Sequence, residues 1–140
     1  MMPAKTSIEA LAALIEAGDV IAVARALQAD PALARARTEG GNTALHIACW
    51  QKQLACVAVV LAHRLVVDAP GAYGRTPLHY AVHEGRAISL PVVAMLLAAG
   101  ADPLLKEDNG FSVEDWAKSE MVDGLAEVLF LIRRMPEQRK

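Results

Sequence analysis

Histidine and cysteine side chains are the residues of this sequence best suited to chemistry. His46 lies three residues before Cys49, a spacing that could pair an imidazole base with a thiol nucleophile. His79 and His83 are four residues apart, so one helix face could present both to a metal ion, with Glu84 adding an oxygen. Neither pattern is complete, because the sequence offers no third metal ligand at a diagnostic spacing and no oxyanion site.

A hydrogen-bonding role accounts for two of these histidines more simply. His46 follows Thr43 by three residues, and His79 follows Thr76 by the same interval. This spacing favours a bond between the two side chains that fixes the turn before a helix. We therefore interpret His46 and His79 as structural residues.

An internal repeat indicates which elements would position these residues. Segment 41–48, GNTALHIA, recurs at 74–81 as GRTPLHYA, an offset of 33 residues. A weaker copy, GFSVEDWA, occupies 110–117 after a further 36 residues. Self-similarity at this period predicts stacked supersecondary units.

Each copy begins with the signals of a helix N-terminus. A glycine permits the turn before the helix, and a hydroxyl residue caps the first helical turn. The glycines are Gly41, Gly74 and Gly110, and the caps are Thr43, Thr76 and Ser112. Pro77 stands at the first helical position, where its missing N–H costs nothing. Short first helices are therefore predicted.

A second apolar helix is predicted after the first one in each unit. Segment 54–62 is such a helix, and segment 92–99 is another that stops at Gly100. The chain has only six aromatic residues, so Ala, Leu and Val must form most of the core. Helices this short are marginal alone and need neighbouring pairs to bury their faces.

These motifs resemble the ankyrin repeat. Segments 76–81 (TPLHYA) and 100–103 (GADP) match its two signatures, and segment 43–48 (TALHIA) is a common variant. The resemblance implies an all-α fold, an ankyrin-repeat solenoid of about four helix-turn-helix units with projecting β-turns. The units are an N-terminal tail at 1–6, a degenerate N-terminal capping repeat at 7–37, repeats at 38–70 and 71–105, a C-terminal capping repeat at 106–134 and a basic tail at 135–140.

The sequence departs from the family pattern at three places. Lys52 replaces the usual Gly between the helices of the second unit, and Arg64 replaces the Gly that ends its second helix. Three extra residues in the third unit fall within segment 86–91. Ser89 could cap the helix that follows, so we expect the insertion to lengthen the loop between helices.

The resemblance implies a non-catalytic module that binds a partner protein on its concave face and turn tips, as an adaptor, a stabilising partner or an inhibitor of the immunity type. Large aromatic and arginine side chains suit such an interface. The expected partner-binding residues are Asn42, Trp50, Gln51, Tyr73, Arg75, His83, Glu84, Asn109 and Phe111. We expect Tyr80 and Trp116 to pack instead, and no cofactor or metal. The alternative is a metal- or thiol-dependent protein that uses Cys49, His79 or His83.

Composition and charge limit the classes of partner and the cellular location that we expect for this chain. A net charge of −2 gives no general attraction to nucleic acid or an anionic membrane. The apolar stretches 54–62 and 90–101 are too short to span a bilayer, and we expect no conventional export signal. Cys49 and Cys56 form neither a disulfide framework nor a CxxC pair, so we interpret them as reduced core residues of a cytoplasmic protein.

The segment at 128–132 is more apolar than a terminal cap requires. Five consecutive apolar residues, VLFLI, cover more than one face of a helix. A capping unit should instead offer a polar outside to water. We therefore expect Phe130 or Leu131 to mediate a homodimer or to bind a partner.

Overall fold

The fold is all-helical throughout the residues that a computed structural model describes, which are 6–83, 88–118 and 125–134. The helices are α1 (Ile8–Ala17), α2 (Val20–Ala29), α3 (Ala44–Trp50), α4 (Leu54–Leu61), α5 (Pro77–Ala81), α6 (Leu90–Ala98), α7 (Val113–Lys118) and α8 (Leu125–Arg134). Short 3-10 helices occupy Pro31–Ala34 and Ala72–Gly74. The predicted all-α class is confirmed.

Helix pairs stack into two layers. The odd-numbered helices form an inner layer in which α1 contacts α3 and α3 contacts α5. The even-numbered helices form an outer layer in which α2, α4, α6 and α8 contact one another in that order. Contacts between α1 and α2, α3 and α4, α5 and α6, and α7 and α8 join the layers. Each pair therefore buries its apolar faces against its neighbours, as repeat proteins require.

Reciprocal hydrogen bonds begin the inner helices where the sequence predicts them. The Thr43 hydroxyl accepts from the His46 backbone N–H, and His46 Nδ1 accepts from the Thr43 N–H at 3.1 Å. Thr76 and His79 repeat this capping box before α5. Ser112 Oγ likewise accepts from the backbone N–H of the residue three positions on, at 3.0 Å. These three N-cap predictions are confirmed.

Ser89 and Lys52, at two of the places where the sequence departs from the family pattern, both act at helix ends. Ser89 caps α6, because its hydroxyl accepts from the Val92 N–H at 3.4 Å, as the sequence predicts. Lys52 adopts a left-handed backbone with a φ of 56°, the conformation for which the family's usual glycine is suited. Its Nζ donates to the Tyr80 carbonyl oxygen at 2.9 Å, a bond to the end of the next inner helix.

Small and branched residues fill the space between the layers. Ala48 and Ala81 are completely buried on the inner helices, where they allow the outer helices to approach closely. Cys49 and Cys56 are buried as well, which confirms that they are core residues. None of the helices in the described ranges has the length and apolar character that a bilayer crossing requires.

Candidate partner-binding face

Three turns with the same hydrogen-bond pattern project before the inner helices α3, α5 and α7. In each, the first residue donates its backbone N–H to the carbonyl of the fifth. The three pairs are Thr38 to Asn42 at 2.9 Å, Gly71 to Arg75 at 2.7 Å and Glu107 to Phe111 at 3.0 Å. The glycine at the fourth position has a positive φ in all three turns. The repeat therefore presents three equivalent tips along one edge of the stack.

Histidines of one repeat hold the turn of the next. His46 Nε2 lies 3.0 Å from the carbonyl oxygen of Arg75, and His79 Nε2 lies 3.0 Å from that of Phe111. The other ring nitrogen of each histidine already bonds to its threonine. Burial lowers the pKa of His46 to about 4 and lowers that of His79 as well, so both rings are neutral near pH 7.

A groove lies along the inner layer below these turns. Its volume is about 290 Å³. The residues that line it come from α1, from α3 and its turn, and from α5 and its turn, and we call this space the inner groove. They are Glu16, Asn42, His46, Ile47, Trp50, Gln51, Arg75, Tyr80 and His83. Of the nine expected partner-binding residues, five therefore meet at one place.

An aromatic row crosses the mouth of the inner groove. The rings of Trp50 and His83 are 4.9 Å apart, and those of His83 and Trp116 are 6.1 Å apart. Trp50 also meets Tyr80 edge to face at 5.7 Å. Trp50, His83 and Trp116 are half-buried, so each ring packs on a neighbour and keeps part of its surface open to solvent. Such rings can contribute contact area with little further loss of rotamer freedom.

Arg75 lies at the upper edge of the inner groove. Its Cζ is 5.4 Å from the ring centroid of Tyr73 and 5.9 Å from that of Trp116, so the guanidinium stacks between two aromatic side chains. Its Nε is buried and has no hydrogen-bond partner within the ranges that the structure describes. Among the described residues, no carboxylate forms an ion pair with Arg75.

Asn42 takes part in internal contacts that the sequence does not reveal. Its Oδ1 accepts from the Ala72 N–H at 3.0 Å and from the Tyr80 hydroxyl at 3.3 Å. The amide thereby joins its own turn to the next turn and to α5. Tyr80 is buried, as predicted. Gln51 is half-buried beside the groove, and Glu84 lies outside the described residues.

The expected binding residues at the turn tips are the most exposed of the eight that the structure describes. Tyr73 is 71% exposed and Phe111 is 52% exposed. Tyr73 also has a φ of 59°, a left-handed conformation that is unusual for an aromatic residue. Asn109 is exposed, and its side-chain amide lies 3.5 Å from Glu107 Oε2. Tyr73, Asn109 and Phe111 are not among the residues that line the inner groove, so they offer separate contact points.

The residues of the chemical alternative are engaged or buried. Both ring nitrogens of His79 have hydrogen-bond partners, so metal binding would first have to break one of those bonds. Burial raises the pKa of the Cys49 thiol and that of the Cys56 thiol, which disfavours the reactive thiolate. Within residues 6–83, 88–118 and 125–134, no three His, Cys, Asp or Glu side chains are placed to hold a metal ion.

Sequence reasoning missed two groups of the inner groove and its mouth. Glu16 contributes from α1, where the repeat pattern is too weak to mark it. Trp116 was expected only to pack, yet it completes the aromatic row. A usable signal was present, because Trp116 stands 36 residues after Tyr80, the same offset as from Thr76 to Ser112, and is therefore at an equivalent repeat position. Equivalent positions of neighbouring repeats lie side by side in a stack.

The apolar segment of α8 divides between two environments. Val128 and Ile132 are buried, whereas Phe130 is 60% exposed. Leu131 is half-buried and packs at the edge of the core. Phe130 therefore leaves much of its ring at the surface at the C-terminal end of the stack.

Comparison with known proteins identifies the repeats. A family model described as ankyrin repeats (3 copies) matches residues 9–107. A segment of 69 residues is 41% identical to human palmitoyltransferase ZDHHC13, covering 49% of this chain and 11% of that protein. A segment of 63 residues is 38% identical to mouse ankyrin repeat domain-containing protein 53, covering 44% of this chain and 13% of that protein. The chain thus matches only a small part of the length of these relatives.

Proposed function

The chain belongs to the ankyrin-repeat family of protein-interaction modules, and from this premise we propose that it binds one partner protein, without catalysis, across the inner groove and the turn tips. Through this contact it acts as an adaptor, a stabilising partner or an inhibitor of the immunity type. We place this activity in the cytoplasm. The proposed contact set is Asn42, Trp50, Gln51, Tyr73, Arg75, His83, Glu84, Asn109 and Phe111.

The aromatic row of Trp50, His83 and Trp116 is the observation that carries the proposal. The rings contact one another at centroid distances of 4.9 and 6.1 Å, one pair tilted and the other edge to face, so their exposed surface is already ordered before a partner arrives. Ordered aromatic surface loses less entropy on binding than mobile side chains do. Tyr73 and Phe111 extend the surface to the turn tips, where both are exposed.

Affinity capture from a lysate of the native host, read by quantitative mass spectrometry, tests the proposal. The wild type is compared with a Trp50→Ala/Tyr73→Ala/Phe111→Ala variant whose helicity and melting temperature are first shown to be near normal. We expect one protein to be lost selectively from the variant. Equal capture of all partner proteins by the wild type and the variant would show that the binding site lies on another face.

A matched variant keeps the comparison specific. Ile21 and Val66 are 65% and 66% exposed and lie outside the inner groove, so Ile21→Ala/Val66→Ala removes a similar kind of surface elsewhere. The control should retain the partner. Loss of the partner from both variants would indicate a nonspecific effect of lost apolar area.

Self-association through Phe130 and Leu131 is a second proposal, supported by the exposed ring of Phe130. A homodimer of this kind would cover the apolar end of α8. Light scattering during size-exclusion chromatography measures the mass directly. A mass of about one chain at high concentration, where the monomer is 14.9 kDa, would exclude the homodimer.

A further inference from the structure

Arg75 has two separate roles in its turn, and within the described part of the chain only the backbone role is fulfilled. Its carbonyl oxygen accepts from His46 Nε2 and from the Gly71 N–H. Its guanidinium contacts the rings of Tyr73 and Trp116, and among the residues that the structure describes neither the buried Nε nor the rest of the group has a hydrogen-bond acceptor. A cationic donor that lacks an acceptor is costly to shield from water, so an anion that reached this guanidinium would gain strongly.

The charged residues that line the inner groove are Glu16 and Arg75. Glu16 is the carboxylate that lines the groove, and it comes from α1, whereas Arg75 stands on the turn before α5. Lys52 lies beside the aromatic row, with its Nζ 5.5 Å from the Trp50 ring centroid, and this Nζ donates to the Tyr80 carbonyl oxygen. Arg75 is therefore the arginine or lysine residue among those that line the groove.

The size of the groove favours side chains of an extended segment over a bulky ligand. A volume of about 290 Å³ lies just below the range of about 300–1,000 Å³ that is typical of small-molecule pockets. Trp50 and His83 provide a wall of packed rings beside that space. One anionic side chain next to an apolar side chain matches this combination.

We propose that the inner groove binds an extended acidic segment of the partner protein, with one Asp or Glu carboxylate of that segment on the guanidinium of Arg75 and an adjacent apolar side chain against Trp50. The inference rests on the proposed function, because it concerns the same face. A planar carboxylate accepts two N–H groups of one guanidinium at once. A carboxylate bound there accepts from the terminal Nη groups of Arg75, which have no acceptor among the described residues.

A carboxylate suits the site better than a phosphate group. Glu107 and Asp108 belong to the neighbouring turn, and Asp108 lies directly against Gly74, next to Arg75 in sequence. These two carboxylates repel a dianion more than a monoanion, and Arg75 is a single cation. We therefore assign Asp or Glu rather than a phosphorylated residue.

Selection from a random peptide library displayed on phage tests the assignment. The full chain is the bait, and the best enriched peptide is synthesised for titration. We expect enriched peptides to share an acidic residue beside an apolar one. Arg75→Gln in the protein and Glu→Gln in the peptide should each weaken binding by at least about tenfold, and the two changes together should weaken it little further.

A matched charge change provides the control. Arg25 lies on α2 in the outer layer, is exposed and lies outside the inner groove, so Arg25→Gln removes the same charge from another surface. This variant should bind the peptide as the wild type does. Arg75→Lys keeps the charge but loses the planar fork, and we expect an intermediate affinity. Circular dichroism of every variant confirms that the fold is retained.

Three outcomes would overturn the inference. In the first, the peptides bind Arg75→Gln with normal affinity but bind Trp50→Ala more weakly. This result would support the proposed function and would exclude a carboxylate on Arg75. A peptide whose affinity rises tenfold when phosphoserine replaces its acidic residue would assign the site to phosphate. Failure to enrich any peptide would exclude an extended segment, while capture of a folded partner would still support the proposed function.

Discussion

The Nε2 atom of His46 lies 3.0 Å from the carbonyl oxygen of Arg75, which is 29 residues further along the chain. A carbonyl can only accept, so Nε2 must carry the proton of the neutral ring. Nδ1 is then the acceptor for the Thr43 N–H and hydroxyl. One side chain thus begins its own helix and holds the turn of the next repeat.

This neutral histidine makes stability depend on pH. The pKa of His46 is about 4 in the folded protein, against an ordinary value of 6.5. As the pH falls below the ordinary value, the unfolded chain binds a proton that the folded chain does not. We expect the free energy of unfolding to fall by about 2 kcal/mol between about pH 7 and pH 5 from this residue. Urea unfolding at a series of pH values measures this decrease in the free energy of unfolding.

His46→Gln is the control for this dependence. The glutamine amide can still donate to the Arg75 carbonyl, but it does not titrate. The variant should lose stability less steeply between about pH 7 and pH 5 than the wild type. The remaining slope should come in part from His79, whose pKa burial also lowers. Identical slopes for both proteins would contradict the role given to His46.

Gly71 cannot accept a side chain without displacing its neighbours. A Cβ there would overlap Asn42 Oδ1 and would lie 2.7 Å from His46 Nε2. Gly71→Ala should therefore break bonds that join two repeats and lower the free energy of unfolding by about 2 kcal/mol or more. Gly40→Ala is the matched control, since its Cβ would lie 3.7 Å from the Thr38 hydroxyl oxygen, an ordinary van der Waals contact. Equal urea midpoints for the two variants would contradict this geometry.

Lys52 stabilises the end of α5 from the preceding repeat. Its ammonium donates to the Tyr80 carbonyl oxygen at 2.9 Å, near the negative end of the helix. Lys52→Met keeps the apolar stem but removes the donor, and we expect it to lower the free energy of unfolding by about 1 kcal/mol. Lys106→Met, at an exposed turn position, should change it by less than about 0.5 kcal/mol. Thermal and urea unfolding of both variants provides the comparison.

The two thiols should be inert in the folded protein. Cys49 and Cys56 are buried, and burial raises the pKa of each. We expect a chromogenic disulfide reagent to react at least about a hundredfold more slowly with the native protein than with the protein in urea. Both thiols should then titrate in urea. One thiol that reacts rapidly in the native state would restore the nucleophile hypothesis.

The parts of the fold that sequence predicts are those governed by local spacing. Thr43 and His46, or Thr76 and His79, are three residues apart, and this interval alone places both partners of a capping box. The glycine of each turn is equally local, because its positive φ serves its own backbone. Repetition of these signals at 33 residues then implies the stack.

Contacts between repeats cannot be predicted from local spacing in the sequence. The sequence predicts that Asn42 contacts a partner, yet its side-chain Oδ1 accepts from the Ala72 N–H of the next turn and from the Tyr80 hydroxyl. The stacking of Arg75 on Trp116 joins positions whose separation depends on how closely two repeats pack. Such contacts depend on inter-repeat geometry, which the period of the sequence does not specify.

The backbone and the side chain of Arg75 have separate roles, so the binding specificity of this surface can change without loss of the fold. The main chain of that residue holds the stack, through an acceptor that nearly every amino acid supplies. The side chain is then available for recognition, and Phe111 has the same arrangement with His79. Replacing either side chain can change which molecule is bound while the supporting hydrogen bond persists. Specificity and architecture are thus encoded in different atoms of the same residues.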